Sequence, residues 1–322
     1  MGIGASGIAT LAGCMGGSSS GTNITMASVM EKGTSMVHAG ELFKERIEEE
    51  SDGDISVDFS YGGAYGSENE TFDLMSQGAI DMYTGGSDAY KLYTPEYYFF
   101  NTPFVIESFE HQKKIMQTDE FQNEVYPTLE EKGNIRVAGD RVYRGMRYFT
   151  SNKPVRTPED VQGMELRLPS SDPWVTAWES VGASPSPVSL DELYSALQQG
   201  VVSASEGPPA QISSLSLWEV QDYYSLTAHL PQSGQMYVRS DFYQNLDQSQ
   251  QDMFDEIISE VTKEATQWAK SSEEDLLTEI EENGMQIIED VDSEAFYDAA
   301  APGIERLFEN SYTGTWDDWR NL

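Results

Sequence analysis

Cysteine is almost missing from this chain of 322 residues: Cys14 is the only one. An internal disulfide needs a pair, so neither a disulfide framework nor a cysteine-built zinc site is available. Histidine is scarce too. His38, His111 and His229 lie far apart and beside no acid–base motif, so each is expected to be structural or solvated. Positive charge is short: 19 Lys and Arg stand against 55 Asp and Glu, a formal net charge of -36. That balance excludes nucleic acid, whose phosphates need cations, and attachment to anionic lipid through a basic patch. It reads instead as an acidic surface kept soluble in high salt, a halophile signature. After residue 22 no stretch is long and apolar enough to span a bilayer.

Familiar chemical motifs are absent as well. The chain has no nucleophile elbow, no P-loop and no zinc spacing. Gly2-Ile-Gly4-Ala-Ser-Gly7 matches a dinucleotide fingerprint, but no strand precedes it. Asp52-Gly-Asp54 lacks the downstream glutamate of a calcium loop. Asn23-Ile-Thr25 and Asn69-Glu-Thr71 are glycosylation sequons, a weak signal. We therefore expect no metal, no cofactor and no catalytic residue.

What is present begins with an uncharged segment. Residues 1–22 are rich in Gly, Ala, Ser, Ile and Met, and Ile8-Ala-Thr-Leu11-Ala-Gly-Cys14 is similar to the end of a secretory signal with a lipobox. The basic start of such a signal is missing from it. Cys14 would carry the lipid, and Gly16 to Gly21 would be a flexible tether. Strand patterns follow at Asn23–Val29, Ile55–Tyr61 and Gln77–Tyr83. A helix at Met36–Glu50 and a second one capped by Ser67 separate them, which is the βαβαβ order of a parallel, doubly wound sheet. The aromatic run Tyr90 to Phe104 reads as a packed core between elements. Ser249 to Glu282 contains neither Gly nor Pro, and Met253, Ile257, Val261, Ala265 and Trp268 mark one face of a long helix. The acidic stretch from Asp290 to Leu322, with Phe296, Phe308, Trp316 and Trp319, is expected to pack on the second domain.

The most informative stretch runs from Tyr143 to Pro209. Six of the ten arginines fall between Arg136 and Arg167. Met164, Leu166 and Leu168 alternate with Glu165 and Arg167, a short strand that Gly163 opens and Pro169 closes. Arg167 therefore stands at the carboxyl end of a strand, where open α/β sheets bind ligands. A guanidinium there can clamp a carboxylate with two parallel hydrogen bonds. It can equally be a surface arginine paired with one of the many acids. The residues by themselves leave both open. The helix Asp172–Val181 carries Trp174 and Trp178, and Leu190–Gly200 reads as another helix. Gly200–Ala204 reads as a strand feeding the turn Glu206-Gly207-Pro208-Pro209.

In order along the chain, Arg147-Tyr-Phe-Thr-Ser-Asn, Pro158-Glu-Asp-Val-Gln-Gly163-Met-Glu-Leu-Arg167-Leu-Pro169 and Leu193-Tyr-Ser-Ala-Leu-Gln-Gln-Gly200-Val-Val form one pattern. It resembles the extracytoplasmic solute-binding proteins of tripartite ATP-independent periplasmic (TRAP) transporters, from about Thr25 to about Gly284. The resemblance implies an α/β, two-domain, periplasmic-binding-protein-like fold of type II, with an interdomain ligand cleft and a long domain-spanning helix. Domain I would comprise 23–144 plus about 233–272, and domain II 145–232 plus about 273–322. Arg167 would bind a ligand carboxylate and Arg147 would assist. Tyr65, Glu68, Gly86, Ser87, Tyr148, Trp174, Leu190 and Gly207 would line the cleft. The partners implied are a small carboxylate and the integral membrane TRAP subunits, with a monomeric, lipid-anchored, non-enzymatic protein at the cell surface. The alternatives are a secreted, membrane-anchored enzyme acting on organic acids and a ligand-sensing module. Members that bind sugar acids carry an asparagine where this chain has Gly207, an aromatic residue at Leu190 and an acid at Gly86. Losing those groups and opening space at two glycines favours a monocarboxylate with an apolar or aromatic body, or a small keto or hydroxy acid.

Overall fold

The computed structural model describes residues 21–190 and 192–322. Cys14 and most of the expected tether lie outside the described residues. The strands are β1 (Thr22–Ala27), β2 (Ile55–Ser60), β3 (Met82–Gly85), β4 (Ile135–Ser151), β5 (Glu165–Leu168), β6 (Ser184–Pro187), β7 (Ala204–Gly207), β8 (Tyr223–Arg239) and β9 (Gln286–Ile288). They form one sheet in the order β2-β1-β3-β8-β4-β7-β5-β6, with β9 beside β8. β1 pairs in parallel with β2 and β3, as the βαβαβ order requires. The helix α1 (Ser35–Glu50) crosses between the first two strands, and α2 (Glu68–Ser76) between the next two. Ser67 caps α2 in a capping box: its hydroxyl accepts from the Glu70 amide, and the Glu70 carboxylate accepts from the Ser67 amide. This cap fixes Glu68 in the first turn of α2.

β4 and β8 carry the chain between the domains. Each is 17 residues long. They pair antiparallel from Ile135↔Arg239 to Ser151↔Tyr223, with register shifts at Ala138/Val142, Tyr143/Gly145 and Arg147/Phe149. Such irregularities bend a strand and increase its twist. The strands of the two halves are thus two ends of one sheet, joined by this twisted pair. Gly145, at φ +109°, lies on this crossing, and a Cβ there would stand 2.9 Å from Pro208 Cβ. Only glycine meets both demands.

The long helix Gln248–Glu282 spans 35 residues. At one end Phe254, Ile257 and Val261 join Ile24, Phe43 and Ile47 in one apolar cluster. At the other, Ile280 joins Leu193, Ile212 and Tyr224 in another. A single helix therefore anchors in the cores of both halves. The aromatic run is packed as expected, with Phe99 and Phe100 fully buried. The C-terminal stretch goes further than expected. Phe296 meets Trp178 of the second domain at 6.4 Å, and Trp319 also covers Phe99 of the first at 4.7 Å between ring centroids.

Two short elements differ from the sequence reading. β3 begins at Met82 rather than Gln77, because residues 77–79 close α2 with turn hydrogen bonds. β7 begins at Ala204, so Glu206 and Gly207 belong to the strand and not to the turn. The reason is pairing: Ala204–Gly207 bonds to Tyr148–Ser151 of β4, and Ala204 also pairs with Leu166 of β5.

Candidate ligand cleft

β7 lies between β4 and β5, which brings Arg147, Glu206 and Arg167 onto neighbouring strands. Arg147 and Glu206 form a bidentate pair, with Nε–Oε2 at 2.5 Å and Nη2–Oε1 at 2.7 Å. Both are buried, at 4% and 0% exposure. His229 Nε2 lies 3.1 Å from Glu206 Oε2, and its Nδ1 lies 2.8 Å from the Thr227 hydroxyl. Burial lowers the His229 pKa and keeps the ring neutral. A carboxylate only accepts, so Nε2 donates to Glu206 and Nδ1 accepts from Thr227. Burial alone would raise the Glu206 pKa, but Arg147 and His229 outweigh it and hold the carboxyl at about 2. The Trp174 ring packs 5.0 Å from the Arg147 guanidinium and donates its indole N–H to the Asn101 carbonyl at 2.7 Å.

Arg167 is the penultimate residue of β5, is 3% exposed, and donates from Nε to the Val188 carbonyl at 2.8 Å. Both arginines line a chamber of about 270 Å³, together with Trp174, Leu190, Ser170 and Ser171 from the same half of the cleft. Glu68, Gly86, Ser87, Asp88, Lys91, Tyr98 and Asn101 face them from the other half. Seven of the ten expected ligand contacts thus meet at one place: Arg147, Arg167, Glu68, Gly86, Ser87, Trp174 and Leu190. Tyr65, Tyr148 and Gly207 are on no wall of it. Tyr148 turns its ring onto Tyr224 at 5.5 Å, Tyr65 packs against the aromatic core, and the Gly207 carbonyl accepts from the Tyr224 hydroxyl at 2.8 Å.

The two glycines expected to open space do not. A Cβ at Gly86 would stand 2.5 Å from a Glu68 carboxylate oxygen, and one at Gly207 would stand 2.6 Å from the Gln211 amide nitrogen. The polar groups that seemed lost are supplied from α2 and from the helix Pro209–Ser214. Glu68 accepts from the Asp88 amide at 3.1 Å. Burial, and then the Asp88 charge, raise the Glu68 pKa to about 7, against that amide and Arg144. Ser87 accepts from Arg141 Nη2 at 2.7 Å, which fixes that hydroxyl on the chamber floor.

Leu190, Gln211 and Gln232 also border a second chamber of about 260 Å³. Its walls are mostly apolar: Val29, Met30, Pro208, Pro209 and Ala210, with Trp268, Ala269 and Leu276 from the long helix. Arg144 stands among them, three residues before Arg147 on β4. Nothing in the sequence reading pointed to this chamber. Its residues come from six separated segments, and none is unusual locally. Glu206 and His229 were missed in the same way, since 23 positions separate them. Among the described residues no group of three or more His, Cys, Asp or Glu is placed to hold a metal ion.

With this geometry in place, comparison with known proteins is decisive. The model of the bacterial extracellular solute-binding protein family 7 matches residues 26–311. The chain belongs to that family. It is a TRAP-type solute-binding protein, and such proteins work outside the cytoplasm. The sialic acid-binding periplasmic protein SiaP of Vibrio cholerae is 26% identical over 289 residues, covering 90% of this chain and 89% of the relative. A TRAP periplasmic solute-binding protein from a Sulfitobacter species, solved with bound β-D-galacturonate, superposes with a TM-score of 0.82. It is 26% identical, over 94% of this chain and 100% of that one. A third, from Ochrobactrum anthropi, has its own C-terminus in the ligand-binding pocket and gives a TM-score of 0.85 at 25% identity, over 94% of each chain. Among the described residues no helix is long and apolar enough to cross a membrane.

Proposed function

We propose that this TRAP substrate-binding protein captures an organic acid in the arginine chamber, with the carboxylate at Arg167, and delivers it to integral membrane subunits. The observation that carries this is the placement of Arg167: a buried guanidinium at the end of a strand, in a chamber walled by both halves of the cleft. Arg147, already matched by Glu206, assists by position and by its residual charge. Galacturonate in the Sulfitobacter relative supports an acid as the ligand class. We assign 23–144 with about 233–272 to domain I, and 145–232 with about 273–322 to domain II. The two cores at opposite ends of the long helix support this division. The protein acts by binding and not by catalysis. It works as a monomer held at the cell surface by lipid on Cys14, a reading supported by Leu11-Ala-Gly-Cys14. Its acidic surface suits high salt.

Ligand bound to one wall gains contacts to the other only when the cleft is closed, so binding shifts the open–closed equilibrium. A thermal-shift screen across organic acids identifies the ligand, because stabilisation follows ligand concentration over Kd. Small-angle scattering with that acid is then expected to give a smaller radius than the free protein. An unchanged radius with binding confirmed would reject the closure. A screen in which no carboxylate raises the midpoint would reject the function.

A further inference from the structure

We propose that the ligand is a bipartite acid: its carboxylate sits at Arg167, and an apolar body ending in an oxygen acceptor fills the second chamber against Arg144. This rests on the reading of Arg167 as the carboxylate clamp. Three observations carry it. The chambers are contiguous, because Leu190, Gln211 and Gln232 are walls of both. Ligand pockets run from about 300 to 1,000 Å³. At about 270 and 260 Å³ each chamber alone falls below that range, whereas the connected pair falls inside it. Leu190 is one of few large apolar side chains left exposed, at 48%, and it stands at the neck between the chambers. A ligand passing through the neck would cover it.

Arg144 supplies the third observation. It has no carboxylate within ion-pair distance among the described residues, and Glu68 acts on it only from beyond that distance. Among the described residues its hydrogen-bond contact is from Nη2 to the Met30 thioether at 3.1 Å. A thioether is a weak acceptor. Hydrocarbon packed over this guanidinium would take away its water and leave it only the more distant Glu68 charge, so an occupant that brings an oxygen to it is favoured. The second chamber also has Glu31 and Glu273 on its walls, and Glu273 accepts from the Tyr143 hydroxyl and the Met146 amide. Polar walls at one end, and mostly apolar walls with the Arg144 cation at the other, thus favour a carboxylate, a hydrocarbon segment and a second oxygen group placed at Arg144, in that order. Each methylene buried in the second chamber is expected to tighten binding about fourfold.

The test uses the full chain and a graded series: succinate, adipate, suberate and azelate, with octanoate and glucuronate for comparison. Calorimetry is expected to show suberate or azelate binding at least about tenfold tighter than succinate, and tighter than octanoate, which lacks the second oxygen group. Ala269→Phe on the long helix and Ala210→Phe on the opposite wall fill the chamber from different elements. Each is expected to erase the advantage of suberate over succinate, and Arg144→Gln to erase that of suberate over octanoate. Affinity independent of chain length, or filling variants that bind suberate as the parent does, would overturn the two-chamber ligand. If succinate and glucuronate bind in an Arg167-dependent way while longer acids gain nothing, only this inference fails. If Arg167→Ala binds every acid as the parent does, or if no acid binds, the clamp fails and the inference with it.

Discussion

The two chambers of the cleft are almost equal in volume and opposite in chemistry. In the first, several polar groups are fixed by other parts of the protein: Arg147 by Glu206, Glu206 by His229, Ser87 by Arg141, Glu68 by the Asp88 amide, and Arg167 by the Val188 carbonyl. In the second, mostly apolar walls from the segment after β1, from Pro208–Ala210 and from the long helix surround an arginine whose hydrogen-bond contact among the described residues is a thioether. A wall of preset hydrogen bonds determines orientation, because it rejects a ligand that leaves its groups unmatched. A wall of hydrocarbon determines how much ligand is accepted, because its contribution grows with buried area and not with direction. One cleft thus separates which end of the ligand binds from how long the ligand is.

The comparison breaks most readily at Arg167. Arg167→Ala leaves a desolvated carboxylate without its cation, and a buried pair broken on one side costs about 3–5 kcal/mol. Calorimetry should show a loss of several hundred-fold or more, and Arg167→Lys should also be poor because an ammonium cannot make a two-pronged contact. Glu206→Ala strands Arg147 and takes from His229 its acceptor. Chemical unfolding of the free protein is expected to show a loss of similar size, about 3–5 kcal/mol, with the apolar cores intact. Wild-type stability would mean that the network is an accident of packing.

Titration sharpens the contrast within the polar chamber itself. Glu206 is held at about 2, below its ordinary 4.5, so its stabilisation is complete above pH 4.5 and drains as pH falls toward 2. Glu68 is raised from 4.5 to about 7, so the native state keeps a proton that the unfolded chain releases. Its contribution is greatest below pH 4.5 and is lost as pH rises through 7. Glu68→Gln is therefore expected to flatten the stability curve between pH 4.5 and 7. Unfolding measured across that window checks this, and an unchanged slope would remove Glu68 as its source. The smallest effect belongs to the neck. Leu190→Ala removes half-exposed hydrocarbon, so affinity for a long acid should fall by less than about tenfold and that for a short one hardly at all. Equal losses for both would show that Leu190 does not divide the chambers.

Much of this was legible in the sequence because it was local. Ser67 three residues before Glu70 is a capping box wherever the chain goes. Trp174 and Trp178 one turn apart, and the period of Ile257, Val261 and Ala265, each specify a buried helix face. Gly163 and Pro169 bracket β5, so Arg167 had to stand at a strand end. What was misread depended on distance. Gly86 and Gly207 read as open space because a missing Cβ is visible in the sequence, while the side chains that fill the gap are 18 and 4 positions away on other elements.

Composition and periodicity by themselves determined an acidic, disulfide-free α/β chain with a long helix and an arginine at the end of a strand. Short-range hydrogen bonding and the burial of regularly spaced apolar side chains suffice for that, and both are written in neighbouring residues. Only the tertiary structure decided which charges are satisfied from within. β7 entered between β4 and β5 and set Glu206 against Arg147, while among the described residues no acid came within ion-pair distance of Arg144 three residues earlier on the same strand, and Glu68 acts on it only from farther off. Two arginines of identical chemistry thereby took different roles. Whether a buried charge is structural or open to a ligand depends on what packs beside it in space, and strand order alone placed those neighbours.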